Sequence, residues 1–147
     1  MMYGLYYWPE IQGRGNVWYC GEQSKDYEFN DGDRPEVAEL VSIDGSFKAG
    51  RDGAKAGILM QANPTVGLTY REEASWSNAE DLSQVLSLTG SESTPAASCS
   101  NSCLVLRAFT PVEPGVNEIK YYAPGIGQIL TLKEGRPRSE LVQFIQP

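Results

Sequence analysis

Apolar and polar residues alternate in short segments along much of the chain, and glycine, proline, asparagine and aspartate separate these segments. The most regular segment is 116–132, which is typical of two β-strands folded back on each other around Ala123-Pro124-Gly125. Comparable segments predict further strands, which are expected at 3–8, 16–22, 57–60, 68–76, 103–109 and 139–145. Many short strands with turns between them indicate an antiparallel sheet.

Residues 25–47 fit two different structures. In one, Asp33 caps a short helix and Pro35 occupies its first turn. In the other, 26–29 and 39–44 pair as a β-hairpin through a loop rich in Asn, Asp and Gly. The hairpin is favoured, because the Asp-Gly turn that follows leaves little room for a helix.

The segment 77–88 is the best candidate for a helix. Ser77 and Glu80 have the spacing of a capping box, and Leu82 and Val85 follow at helical spacing. This pattern predicts one or two turns of helix before the chain continues as a strand.

These segments together predict an all-β protein with an antiparallel curved sheet, arranged as a half-barrel, a barrel or a sandwich, with at most one or two short helices. The length of 147 residues predicts one domain, 1–147, and no linker is visible within it. No apolar run approaches the roughly 18 residues of a membrane span. The first residues lack the features of a signal peptide.

The charge and the histidine count exclude several kinds of chemistry. A net charge of −7 is a poor match for nucleic acid, whose binding proteins need a surplus of Lys and Arg. The chain has no histidine, which excludes Ser-His-Asp and Cys-His catalysis in their usual forms and histidine-based metal sites. The groups that remain for catalysis are carboxylates, tyrosines, lysines, thiols or a metal held by oxygen. The sequence does not identify a catalytic residue among them.

The three cysteines do not form a closed disulfide framework, because their number is odd. Cys99 and Cys103 lie four residues apart in a polar segment, so a local disulfide is sterically possible. Unpaired thiols are the favoured interpretation for both residues.

Acidic residues are concentrated in 26–36, and they are candidate calcium ligands: Asp26, Glu28, Asp31, Asp33 and Glu36. The spacing is not that of an EF-hand, because an aspartate stands where that loop needs glycine. An irregular calcium site and a solvated hairpin tip are the two interpretations. The pairs Glu72-Glu73 and Glu80-Asp81 are poor acid/base couples, since neighbouring strand residues point to opposite faces, and they are expected to be exposed charges.

Aromatic residues could line a pocket for an apolar ligand, or they could belong to the core. The residues concerned are Trp8, Trp18, Tyr19, Tyr121 and Tyr122.

Five blocks of the sequence resemble a family of uncharacterised, usually exported bacterial β-rich proteins. The blocks are GNVWYCGE (15–22), SFKAGRDGAKAGILM (46–60), TYREE (69–73), AEDLSQVLSL (79–88) and CLVLRAFTPVEPGVNEIKYYAPGIGQIL (103–130). The resemblance implies a shared β-rich fold and export, and it implies no activity. Ile119 stands where a histidine is usual in the family, and the abrupt start of the chain puts export of this product in doubt. The last strand-turn-strand is also similar to lipoprotein-carrier half-barrels, which enclose an apolar cavity.

Two principal functions are compatible with these features. The first is a small β-domain that binds an apolar or amphipathic small molecule. The alternative is a Ca²⁺-dependent hydrolase of a small ester or lactone, such as an acyl-lactone, in which the ion polarises the carbonyl group. A third hypothesis is self-association into a homo-oligomer through exposed strand edges. Neither nucleic acid nor a membrane span is expected.

Overall fold

The computed structural model describes residues 15–29 and 37–145, together with the backbone of 4–8. These residues form twelve β-strands and no helix, and all strand pairs are antiparallel. The all-β antiparallel fold predicted from the alternation is therefore confirmed. The strands are β1 Gly4–Trp8, β2 Val17–Gln23, β3 Asp26–Phe29, β4 Ala38–Ser42, β5 Phe47–Lys48, β6 Gly57–Met60, β7 Thr69–Arg71, β8 Leu82–Ser93, β9 Ser98–Phe109, β10 Asn117–Ala123, β11 Gly127–Lys133 and β12 Ser139–Glu140.

The chain divides into two compact units. Unit 1 comprises Met1–Gln61 and Glu72–Glu80, and unit 2 comprises Ala62–Arg71 and Asp81–Pro147. Each unit has its own sheet and its own cluster of buried apolar side chains. The segment Glu72–Glu80 therefore belongs to unit 1, although unit 2 residues precede and follow it along the chain.

Unit 1 is built around β2, which pairs with β1, β5 and β6. Its core contains Tyr19, whose ring packs edge-on against Phe47 with centroids 5.4 Å apart. Gly21 is required where β2 pairs with β5, because a Cβ at this position would lie 2.5 Å from the Phe47 carbonyl oxygen. The remaining members of this core are Ala54, Leu59 and Ala79.

Strands β3 and β4 form a separate two-stranded hairpin within unit 1. Tyr27 lies opposite Leu40, and Phe29 lies opposite Ala38. The hairpin predicted for this part of the chain is confirmed. The loop at its tip, residues 30–36, lies outside the described residues.

Unit 2 contains an open six-stranded sheet in the order β12-β11-β10-β9-β8-β7. Strands β10 and β11 fold back on each other through a turn at 124–126, as the sequence predicts. The core of this unit includes Val105, Ile129 and Leu130. Strand β12 pairs with β11 over two residues only, so the predicted strand 139–145 is much shorter than expected.

The helix predicted at 77–88 is wrong. The backbone N–H of Ser77 does donate to the Glu80 carboxylate at 2.7 Å, as in a capping box. This hydrogen bond, however, closes a tight turn and does not begin a helix. In the turn Ser77 has φ 59°, and the backbones of Ser75 and Ala79 pair. The following residues pair with β9 as strand β8, and this long-range pairing overrides the local helical signal.

Cys99 and Cys103 form a disulfide, so the prediction of unpaired thiols is wrong for this pair. In a regular strand these Cα atoms would lie about 13 Å apart. They lie 5.5 Å apart because β9 advances four residues, from Cys99 to Cys103, while β8 advances two, from Gly90 to Glu92. Cys20 is a free cysteine and is half-buried.

In the part of the chain that the structure describes, no helix has the length and hydropathy needed to cross a membrane.

Candidate functional site

The predicted aromatic pocket residues are distributed over both units. Trp18 and Tyr19 are neighbours on β2, and Tyr121 and Tyr122 are neighbours on β10, so the members of each pair point to opposite faces of their strand. Tyr19 is a core residue of unit 1. Tyr122 is buried and donates its hydroxyl hydrogen to Gln128 Oε1 at 3.0 Å.

Trp18 and Tyr121 are half-buried. The indole Nε1 of Trp18 is buried and makes no hydrogen bond to a described residue. The side chain of Trp8 lies outside the described part of the structure. The use of these aromatic residues as a ligand pocket stays a prediction.

The five predicted calcium ligands are only partly described. Asp26 and Glu28 lie on β3. Asp31, Asp33 and Glu36 lie outside the described residues. Within residues 15–29 and 37–145, no group of three or more histidine, cysteine, aspartate or glutamate side chains is placed to hold a metal ion.

Three glutamates that were expected to be exposed are buried in unit 1, so that prediction is wrong for them. Glu72, Glu73 and Glu80 have relative exposures of 3%, 8% and 7%. The reason is that the chain returns to unit 1 over exactly this segment, where Ala79 joins the core. Glu80 also accepts the Ser77 backbone N–H, which offsets part of the cost of its burial.

Tyr19 lies close to this group of carboxylates. Its hydroxyl donates to Glu22 Oε2. Burial raises the pKa of Tyr19 far above its ordinary value of 10.0, and the hydrogen bond to Glu22 and the negative charges of Glu22, Glu73 and Glu72 raise that pKa further. The phenol therefore keeps its proton over the physiological pH range and acts as a hydrogen-bond donor to Glu22.

A second constellation, which the sequence reasoning missed, lies on one face of the unit 2 sheet. Arg107 on β9 shares this face with Val105 and Phe109, because alternate strand residues point the same way. Across the neighbouring strands, Arg107 stands directly opposite Gln84 and Ile119.

The same face continues across β10 and β11. Ile119 stands opposite Leu132, and Tyr121 lies two residues along β10 from Ile119, so it points to the same side. Ile119, Tyr121 and Leu132 are half-buried and pack against the unit 2 core. We call the exposed parts of this surface the Arg107 face, which consists of Arg107, Phe109, Ile119, Tyr121 and Leu132.

Arg107 itself is half-buried and is held in place by two neighbours. Its Nε donates to Asn117 Oδ1 at 2.8 Å, and its guanidinium carbon lies 5.0 Å from the centre of the Phe109 ring. No carboxylate among the described residues forms an ion pair with Arg107, and its two terminal nitrogens contact no described acceptor. These two contacts hold the guanidinium group in place, and its two terminal nitrogens are the atoms that could bind an anion.

One feature of the amino-acid sequence could have indicated this site. In the strand 103–109, Arg107 occupies a position that the alternation assigns to the same face as Val105 and Phe109. A cation at an apolar position of a strand is unusual, because its charge must be solvated or paired. The partners Asn117 and Ile119 could not be found in the same way, since they depend on strand register.

Comparisons with known proteins found no matching protein-family model, no matching curated protein and no matching solved structure. The resemblance to the exported bacterial family and to lipoprotein-carrier half-barrels accordingly stays a prediction.

Proposed function

We propose that the protein binds a small amphipathic molecule with a single anionic head group, and that the Arg107 face of unit 2 is the binding surface. The observation that carries this proposal is the half-buried guanidinium of Arg107, which lies beside Phe109 and Ile119 and has no carboxylate partner among the described residues.

The geometry of Arg107 suits a carboxylate. Its Nε is occupied by Asn117, which fixes the guanidinium plane and leaves the two terminal nitrogens for the ligand. Two parallel N–H···O bonds from such an edge to a carboxylate are among the stronger hydrogen bonds in proteins. Hydrogen bonds to a charged group contribute about 1.5–3 kcal/mol each.

The apolar part of the ligand would lie over Ile119, Tyr121 and Leu132. Ile119 and Leu132 stand opposite each other across β10 and β11, and Tyr121 lies two residues along β10 on the same face. A ligand placed there would remove their half-exposed surface from water. Tyr121 is the one residue of the predicted aromatic pocket that lies on this face. Its proposed role is contact with the apolar chain of the ligand.

The net charge of the chain favours a ligand with one negative charge. At −7, the protein repels polyanions at long range, so a phosphorylated or nucleic-acid ligand would have to overcome this repulsion. This long-range repulsion costs a monocarboxylate little binding free energy, because the ligand carries one negative charge, and the contact with Arg107 favours its binding.

The test is calorimetric titration with decanoate, compared with the uncharged decanol. Arg107→Gln keeps a polar side chain at the position and removes the charge. We expect decanoate to bind the natural protein, and Arg107→Gln to weaken that binding at least tenfold, which is about 1.4 kcal/mol. The methyl NMR signals of Ile119 and Leu132 should shift on addition of decanoate.

Arg51→Gln is the matched control, because Arg51 is an exposed arginine of unit 1, whereas the Arg107 face belongs to unit 2. It should leave the affinity for decanoate unchanged. Equal binding of decanol and decanoate, or equal affinity in the Arg107→Gln variant, would reject the proposal.

The alternative function, Ca²⁺-dependent hydrolysis of a small ester or lactone, depends on residues 31–36 for most of its ligands. Since those residues lie outside the described ones, nothing in the structure favours it over binding, and it stays a prediction.

A further inference from the structure

A row of five residues crosses the unit 2 sheet at one register position and passes through Arg107. Arg107 stands directly opposite Gln84 on β8 and Ile119 on β10. The row continues from Gln84 to Thr69 on β7, and from Ile119 to Leu132 on β11. Because directly opposite residues of antiparallel strands lie on the same side of the sheet, the five side chains share one face. We call these five residues the cross-strand row.

The polarity of the cross-strand row changes in one direction. Thr69 and Gln84, at one end, carry uncharged groups that form hydrogen bonds. Arg107 carries the positive charge, and Ile119 and Leu132, at the other end, are apolar. An amphipathic ligand that lies across the strands matches this order when its head group is at Arg107 and its alkyl chain runs towards Leu132.

Gln84 adds a requirement that a simple carboxylate does not meet. Its side chain is half-buried, and its amide has no hydrogen-bond partner among the described residues. An amide group contains an acceptor as well as a donor, whereas the guanidinium of Arg107 contains donors only. An ionised carboxylate accepts hydrogen bonds and donates none, so it cannot pair with Gln84 Oε1. A hydroxyl group close to the carboxylate supplies the missing donor.

The apolar end of the row indicates the length of the alkyl chain. Leu132 is two strand spacings from Arg107, which is about 10 Å. With C–C bonds of about 1.5 Å, an extended chain of about eight carbon atoms covers this distance. The row ends at Leu132, because β12 pairs with β11 only through Leu130 and Thr131.

We infer that the ligand of the Arg107 face is a medium-chain hydroxycarboxylate, with its hydroxyl group on the second or third carbon atom. The ligand lies across the strands. Its carboxylate binds Arg107, its hydroxyl donates to Gln84 Oε1, and its alkyl chain covers Ile119 and Leu132. Gln84 is therefore the residue that selects hydroxylated over plain carboxylates. This inference rests on the proposed function, because Arg107 is the head-group contact in both.

The test is calorimetric titration of the full chain with decanoate and with its 2-hydroxy, 3-hydroxy and 10-hydroxy derivatives. We expect at least one of the first two hydroxy acids to bind about fivefold more tightly than decanoate, which is about 1 kcal/mol. The 10-hydroxy acid should bind at least threefold more weakly than decanoate, because its hydroxyl group lies at the apolar end of the row. In NMR spectra of the natural protein, the side-chain amide signals of Gln84 should shift more with the favoured hydroxy acid than with decanoate.

The variant Gln84→Met keeps a side chain of similar size and removes the amide. It should bind decanoate with unchanged affinity and should bind the favoured hydroxy acid no more tightly than decanoate. The matched control is Gln23→Met, since Gln23 is an exposed glutamine of unit 1. This control should keep the preference of the natural protein. The ligand series on the natural protein tests the inference even where Gln84→Met is unstable.

The outcomes separate this inference from the proposed function. Failure of decanoate to bind the natural protein would reject both. Binding of decanoate that depends on Arg107, together with equal or weaker binding of the 2-hydroxy and 3-hydroxy acids, would overturn the inference and leave the proposed function standing. A preference for the hydroxy acid that persists in Gln84→Met would overturn the role of Gln84. Binding of the 10-hydroxy acid as tightly as decanoate would overturn the orientation of the ligand across the strands.

Discussion

The Tyr19 hydroxyl lies in the core of unit 1 and donates its hydrogen bond to Glu22. Ionisation of this phenol would place a buried negative charge beside Glu22, Glu73 and Glu72, which is the reason that its pKa is raised. In the unfolded chain the same group titrates at its ordinary value of 10.0. The difference makes stability depend on pH.

The sign of this dependence follows from the direction of the shift. The folded pKa lies above the unfolded pKa, so the contribution of Tyr19 to stability is complete below pH 10 and is lost as the pH rises above it. One such group changes the free energy of unfolding by about 1.4 kcal/mol per pH unit. We therefore expect that free energy to fall more steeply above pH 10 in the natural protein than in Tyr19→Phe.

Urea unfolding at a series of pH values measures this slope. Tyr27→Phe is the control, since Tyr27 is an exposed tyrosine on the hairpin of the same unit, and this variant should keep the steep slope of the natural protein. Parallel pH curves for the natural protein and Tyr19→Phe would contradict the assignment of this dependence to Tyr19.

At the scale of elements, the Cys99–Cys103 disulfide lies where the pairing of β8 and β9 is irregular. Cys99 and Cys103 are buried in the unit 2 core. Gly90 stands opposite Cys103, where a Cβ would overlap the Val105 side chain, so the close approach of the two strands needs glycine. The disulfide thus links the two ends of the segment of β9 in which four residues lie along two residues of β8.

We expect loss of this disulfide to lower the free energy of unfolding by about 2 kcal/mol, the value for a very short closed loop. This loss of free energy is measured by urea unfolding of the Cys20→Ala variant, with and without a reducing agent. The Cys20→Ala change removes the free thiol, which could otherwise exchange with the disulfide. A Cys99→Ala, Cys103→Ala double variant should unfold like the reduced protein and should not respond to the reducing agent. Identical unfolding curves under oxidising and reducing conditions would contradict the expectation.

Most strands could be predicted because alternation is a local property of the sequence. Residues 116–132, for example, show their turn and both strands without knowledge of any partner. The segment 77–88 could not be predicted, because its Ser77–Glu80 contact is compatible with either a helix or a turn, and pairing with the distant strand β9 decides between them.

The candidate site was less accessible from the sequence than the fold. Burial of Glu72 and Glu73 depends on where the chain re-enters unit 1, which no local pattern reports. Arg107 could be recognised as a cation at an apolar strand position, but its surroundings follow from the register of β8, β10 and β11. The β3–β4 hairpin could be predicted from its turn residues, but the exposure of Tyr27, Phe29 and Leu40 on it could not.

At the scale of the whole molecule, the two units are interleaved along the chain. Unit 1 takes Glu72–Glu80 from the middle of the unit 2 sequence. This segment contributes Ala79 to the unit 1 core, and Lys55 pairs with Ala74. Asn78 adds two hydrogen bonds to the turn at Gly45 and Ser46, with distances of 3.1 and 2.7 Å.

Because of this interleaving, we expect that a fragment ending at residue 61 cannot keep unit 1 folded. It would lack the Ala79 side chain, the Lys55–Ala74 bridge and both Asn78 hydrogen bonds, and it would leave the acceptor at Ser46 and the donor at Gly45 to water. Residues 1–61 joined by a flexible glycine–serine linker to residues 72–80 should regain dispersed amide NMR signals. The same linked fragment carrying Ala79→Glu should lose them, since that change puts a charge into the core. Dispersed signals from residues 1–61 alone would contradict the expectation. They would mean that unit 1 folds without Glu72–Glu80.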